Sequence, residues 1–215
     1  MPRSPESSWI YRSYRSFCNS IYGPFAIFYN LTSYIVSLGQ WSQWRRLSLD
    51  FIEGDQVLEL GFGTGALQLD LIKAGYRVYG LEYSRDMHRI TKNCLGDLAD
   101  KSTRVLADGM KLPFGRESVE NIVATFPEQY IVDERTLQEC SRILKENGRL
   151  IIVGRWIELK SKLLQRLFPV FYSKTPESEV EVLRDKMKSV GLQMKVIVRP
   201  IGFVTHKVIV AEKGT

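Results

Sequence analysis

Histidine is almost missing from this chain, with His88 and His206 the two present in 215 residues. Cysteine is scarce too: Cys18, Cys94 and Cys140 are odd in number and widely spaced. Neither a disulfide framework nor a zinc-ligand spacing can be built from them, so no metal is expected and a reducing cytoplasm fits. No Lys/Arg block concentrates the net charge of +6. The pI near 9.2 therefore reads as a solvated basic surface, with attraction to anionic lipid or nucleic acid behind it. The opening "MPRSPESSWIYRSYR" lacks the basic-then-apolar order of a secretory signal. Ile21 to Leu38 carries no charge, but Gly23, Pro24, Asn30 and Thr32 interrupt it, so a spanning helix is not expected. With 44% apolar and 25% charged residues, the chain has enough apolar side chains for one packed domain.

From Asp55 the chain alternates strand and helix signals. Residues 56–60, 77–82, 103–107, 119–125 and 149–154 read as strands. Segments near 64–74, 84–98 and 133–144 read as helices, with "ENG" (146–148) ending the last. Such alternation with short glycine-bearing joints predicts an α/β, Rossmann-like, doubly wound sheet. After Arg155 come an apolar-basic helical stretch, "ELKSKLLQRLFPVFYSK", and a polar helix near 176–190. "LQMKVIVRP" and "FVTHKVIVAEK" then pair as an antiparallel C-terminal hairpin. Residues 1–50 are expected to form a helical N-terminal cap and 51–215 the core.

"VLELGFGTG", residues 57–65, places Gly61, Gly63 and Gly65 where a strand should end. Glycine lets backbone turn tightly and approach a ligand, and the next helix offers free N–H groups. Gly61, Gly63 and Ala66 also satisfy G-x-G-x-x-G/A, and Glu82 lies about twenty residues on. A nicotinamide-dependent oxidoreductase therefore stays in view, although no Tyr-x-x-x-Lys pair occurs.

Four stretches in order carry a resemblance. "VLELGFGTG" resembles the first motif of class I S-adenosylmethionine-dependent methyltransferases, in particular the type 11 group. "VYGLEYS" is similar to their ribose-binding strand end, "VLADGMKLPF" to their adenine loop, and "ECSRILKENGRLIIVG" to the helix-turn-strand that follows the fourth strand. The resemblance covers roughly residues 50–155 and implies a seven-stranded sheet whose last strand is antiparallel. It also implies S-adenosylmethionine as cofactor and S-adenosylhomocysteine as product. On this reading the backbone of Gly61, Phe62, Gly63 and Gly65 packs on the amino-acid portion, and Glu59 holds the turn or the ammonium. Glu82 would grip the ribose hydroxyls. Asp108, Gly109 and Met110 would meet the adenine, with Tyr83 lining its pocket or packing as a sheet-end aromatic. "TFPEQYI" departs from the Asn/Asp-Pro-Pro-Tyr/Phe pattern of base-methylating enzymes, so nucleic acid is not an expected partner. Glu128 and Tyr130 are the acceptor-side candidates. His88 is expected at the surface and His206 has no assigned role.

"FYNLTSYIVSLGQWSQWRR" resembles the cap of ubiquinone/menaquinone-type methyltransferases and of bacterial phospholipid N-methyltransferases. Tyr22, Tyr29 and Tyr34 are its substrate-side candidates. Aromatics with basic flanks suit a lipid interface; packing over a pocket explains them as well. The expected reaction is methyl transfer to a lipophilic or membrane-borne acceptor, a phospholipid amine or a quinone-like ring. A cytoplasmic protein, peripheral on an anionic membrane face, accords with that. The alternatives are a soluble acceptor or a catalytically silent membrane-binding module of the same fold. Oligomeric state is not legible.

Overall fold

A computed structural model describes residues 37–161 and 175–214. The cap candidates Tyr22, Tyr29 and Tyr34 lie outside the described residues, as does the stretch 162–174. Within these bounds the chain begins with a short helix α1 (Trp41–Arg46) and a 3-10 turn (Leu47–Phe51). Then follow β1 (Gln56–Leu60), α2 (Ala66–Lys73), β2 (Arg77–Glu82), α3 (Arg85–Leu95) and β3 (Ser102–Leu106). β4 (Val119–Thr125), α4 (Glu134–Ile143), β5 (Leu144–Leu159), α5 (Glu177–Ser189), β6 (Leu192–Ile201) and β7 (Val204–Lys213) complete the order.

One seven-stranded sheet runs β3-β2-β1-β4-β5-β7-β6. The first five strands pair in parallel, and β7 is antiparallel to both β5 and β6. The strands in the middle are apolar on both faces because helices cover both, as a parallel sheet requires. On one face Leu58, Ile122, Leu150 and Ile152 pack with Leu137 and Cys140 of α4 and Leu183 and Met187 of α5. On the other, Val57, Val123, Ile151 and Val208 pack with Leu47, Phe51, Leu67 and Leu71. Burying each such side chain contributes about 1.5–3 kcal/mol.

Two strand-helix boundaries differ from the sequence reading. "ENG" does not end a helix: α4 stops at Ile143 and β5 begins at Leu144, running through that triplet. Gly148 permits this, since a Cβ there would stand 3.0 Å from the Glu120 carbonyl. Glu158 and Leu159, placed in an apolar-basic helix, close β5 instead. A register break between Ile152 and Trp156 lets the strand bend at Gly154 and continue beside β7, where Val204 to Lys207 supply backbone partners.

The N-terminal segment is tied to the core electrostatically. Arg45 donates from Nε and Nη2 to Asp70 Oδ2 at 2.9 and 2.6 Å. Arg46 donates from the same two nitrogens to Oδ1 at 3.0 and 2.9 Å. One carboxylate on α2 thus receives two bidentate guanidinium forks from α1.

Candidate active site

The order β3-β2-β1-β4 reverses direction of travel at β1, and ligands of such sheets bind beyond the strand ends at that point. The glycine turn sits there. Gly61 N–H donates to Leu81 O at 2.7 Å, tying the turn to β2. Gly65 closes the turn with φ of 79° and touches Thr91, so a Cβ would be both strained and obstructed. Thr91 Oγ1 also donates to Gly63 O at 2.8 Å.

Glu82, at the end of β2, braces this turn. Its Oε2 accepts from Gly63 N–H at 3.1 Å and its Oε1 from Ser84 N–H at 2.8 Å. A carboxylate offers about four acceptor positions, so each oxygen keeps capacity for a diol. Beside it, Tyr83 and Leu106 are 48% and 45% exposed, although both are large and apolar in body. They belong to adjacent strand ends, Glu82 being paired with Leu106. A planar ring laid there would cover them.

Asp108 follows β3. Its Oδ1 accepts from Met110 N–H at 3.1 Å, shaping the loop. Gly109 is overlain by the Tyr130 ring, which a Cβ would approach to 3.1 Å. Tyr130 Oη also lies against Gly61, at 2.6 Å from where a Cβ would be. Tyr130 thus spans the two glycine segments. Burial, with Glu82 nearby, pushes its phenol further above the ordinary range. Glu128 is exposed at the start of the 3-10 turn Gln129–Val132. The structure therefore brings Gly61, Gly63, Glu82, Gly109 and Tyr130 together, and leaves Glu128 on the rim.

Glu59 is 2% exposed, and its Oε2 meets no hydrogen-bond partner among the described residues. Burial pushes its pKa up to about 8, with Arg45 opposing and the carboxylates of Glu82 and Asp70 adding to the rise. A proton held in the fold and lost from the unfolded chain stabilises below the unfolded pKa near 4.5, and that gain is lost as pH rises toward 8. Glu59→Gln should accordingly remove a loss on the order of a few kcal/mol between pH 5 and 8.5. Urea titrations at both pH values read this; identical slopes of stability against pH in variant and parent would refute the neutral carboxyl.

Several contributors had no sequence signal. Glu139 and Arg142 of α4 pin the loop after Asp108: Leu112 N–H donates to Glu139 Oε2 at 2.7 Å, and Arg142 donates to the carbonyls of Leu112 and Phe114, both at 2.9 Å. His88 is not a plain surface residue. It is half-buried, edge-on to Phe62 at 4.8 Å, with Nε2 3.3 Å from Glu82 O. On the acceptor side, Phe126 adopts φ of 49°, a conformation uncommon for a bulky residue. Its ring lies against Gly154 and stacks on Trp41 of α1 at 3.8 Å and 18°.

A sheet of this order with a glycine turn at its switch point and an acid at the end of β2 defines a class I methyltransferase fold. Residues 58–152, somewhat under half of the chain, match the family described as methyltransferase domain, as the motifs led one to expect. Among curated proteins it is similar to the demethylmenaquinone methyltransferase of Paenarthrobacter aurescens, at 29% identity over 68% of this chain and 60% of that protein. The demethylmenaquinone methyltransferase of Corynebacterium glutamicum strain R is 34% identical over 58% of this chain and 53% of that protein. The chain thus spans little more than half the length of these relatives. Among solved structures it is similar to the geranyl diphosphate C-methyltransferase of Streptomyces coelicolor, with TM-score 0.59, 15% identity, and 80% and 79% of the two chains covered. A second is an S-adenosylmethionine-dependent methyltransferase of Methanosarcina mazei, with TM-score 0.58, 18% identity, and 78% and 97% covered. The cofactor of the class is S-adenosylmethionine. The unmatched Glu59 oxygen, the half-engaged Glu82 carboxylate and the exposed Tyr83–Leu106 pair fit it.

Proposed function

We propose that this protein methylates a lipophilic, quinone-like aromatic acceptor. When bound, S-adenosylmethionine supplies a methyl group already activated on sulfonium, so the protein has mainly to align and desolvate the partners. Glu82 would hold the ribose diol, Asp108 with the backbone of Gly109 and Met110 the adenine, and Glu59 with the glycine turn the amino-acid end. Tyr130 closes the floor between the two glycine segments as a hydrogen-bond donor. Glu128, exposed at the start of the 3-10 turn, would orient an acceptor arriving from outside.

The observation that carries the acceptor class is the Phe126–Trp41 stack at the end of β4. It builds an aromatic wall where the base-methylating pattern would put a proline. Planar apolar rings are the natural neighbours of such a wall. The relatives named demethylmenaquinone methyltransferases support the same reading. Among the described residues no helix is long and apolar enough to cross a membrane. Peripheral contact would instead use Leu38, 70% exposed, and Val198, 53% exposed, with Arg199 and Lys160 close by in chain or hairpin.

The deciding experiment is transfer of labelled methyl groups to a demethylated naphthohydroquinone, to a phospholipid amine and to soluble amines, each offered with anionic or neutral vesicles. The hydroquinone is expected to be labelled at least about tenfold faster, and faster still with anionic vesicles. Faster labelling of phospholipid amine would refute the quinone-like acceptor, and no dependence on vesicle charge would refute the membrane contact.

A further inference from the structure

Beneath the stacked pair lies a group of buried polar atoms that the mechanism does not use. His206 is fully buried in β7, and both ring nitrogens are without a hydrogen-bond partner among the described residues. Its ring stands edge-on to Trp44, centroids 5.0 Å apart, and Trp44 is likewise fully buried with an unmatched Nε1. One helical turn earlier Gln40 sits against Gly202, its buried Oε1 also unmatched. Gln40 and Trp44 are four residues apart, joined by the Trp44 N–H bond to Gln40 O at 3.1 Å, and so share one face of the helical segment. Natural interiors rarely leave even one such atom unpaired, and four on these three side chains call for an occupant.

Resting on the acceptor class proposed above, we infer that Gln40, Trp44 and His206 form a recognition site for a hydroxyl group of the aromatic acceptor. The chemistry selects the hydroxyl. Trp44 offers only a donor and Gln40 Oε1 only an acceptor. Burial holds His206 neutral, its pKa pushed down to about 4, so it offers one of each. A hydroxyl both donates and accepts. An ammonium could not accept from the indole N–H, and a carboxylate could not donate to the Gln40 oxygen.

Position supports the same occupant. A continuous series of rings leads from the acceptor end of β4 to this place: Phe126 on Trp41 at 3.8 Å, Trp41 to Trp44 at 6.0 Å, Trp44 to His206 at 5.0 Å. The wall favours a planar ring, and the polar atoms at its far end distinguish a hydroxylated ring from a bare one. Specificity gained this way is large, because an analogue lacking the hydroxyl leaves buried groups unmet.

The test uses the full chain with S-adenosylhomocysteine present and two probes, 1,4-dihydroxynaphthalene under reducing conditions and 1,4-dimethoxynaphthalene. Quenching of tryptophan fluorescence reads affinity. The parent should prefer the dihydroxy compound at least about tenfold. Trp44→Phe and His206→Phe, which keep ring packing, should each cut that preference to about twofold or less and leave dimethoxynaphthalene binding unchanged. A preference retained in both variants, or absent from the parent, overturns the site. If the variants do not fold, the parent still answers by nitrogen NMR of its histidine rings. With just two histidines present, His88→Asn isolates the His206 signals, which should move with dihydroxynaphthalene alone; unmoved signals overturn the site. Methyl transfer to the hydroquinone is followed in parallel. Preference without transfer upholds the hydroxyl site and counts against the quinone-like acceptor. Transfer without preference overturns the site and leaves that acceptor standing.

Discussion

Replacing Glu82 with alanine should weaken S-adenosylhomocysteine binding by about a hundredfold or more, as read by calorimetry. Two effects combine. The carboxylate is the charged acceptor at the end of β2, and two lost charge-assisted hydrogen bonds to a diol amount to roughly 3 kcal/mol or more. It also braces the glycine turn through Gly63 and Ser84 N–H, so its removal leaves the cofactor a less ordered partner. Glu82→Gln separates the two, because the amide oxygen can still accept one backbone bond while the charge is gone. It should fall between alanine and the parent. Affinity unchanged in the alanine variant would refute the ribose assignment. Tight binding of a nicotinamide dinucleotide by the parent would reopen the oxidoreductase reading.

Asp70→Ala should be the most destabilising single change in the N-terminal half of the core, costing about 3–5 kcal/mol in urea unfolding. The reason is asymmetry in burial. Arg45 is 14% exposed and Arg46 59% exposed, against 8% for the shared carboxylate. Losing the carboxylate strands the Arg45 guanidinium in a nearly dry place, whereas Arg46 simply returns to water. Arg46→Ala should therefore cost under about 1 kcal/mol. Arg45→Met combined with Asp70→Leu should recover much of the loss, since a buried ion pair is expensive to break by halves and cheap to replace whole. An Asp70→Ala cost below about 1 kcal/mol would show that the two forks do not hold α1 to the core. Because Trp41 and Trp44 ride on that helix, the same substitution should loosen the aromatic wall at the acceptor side.

How much of this was legible beforehand depends on whether the signal is local. The strands at 56–60, 77–82 and 119–125 were read at their observed limits, because an apolar run between turn residues is a property of neighbouring side chains. The start of the helix near residue 84 was legible for the same reason: the Ser84 hydroxyl accepts from Met87 N–H three residues on. The over-read helix end at "ENG" had a physical cause. Asn and Gly are good helix terminators, but here Asn147 at φ of 61° and Gly148 accommodate a strand that pairs with β4 and β7. Sheet pairing between distant segments overrode the local preference. The same distance hid Glu139 and Arg142, which act on a loop about thirty residues upstream.

By itself the sequence determined the glycine turn, the acid at the end of β2, the loop with Asp108 and the antiparallel close of the chain. Each is a short pattern whose chemistry depends on residues adjacent along the backbone. Only the tertiary structure decided the rest. It set Tyr130 across Gly61 and Gly109, gave Asp70 two arginines, and laid Trp41 on Phe126. It also buried His206 beside Trp44, more than 160 residues away in the chain. A histidine in a strand has no local mark that separates core from surface, since burial is a property of what packs against it. Its environment, and the inference drawn from it, exist only once α1 is folded onto β7.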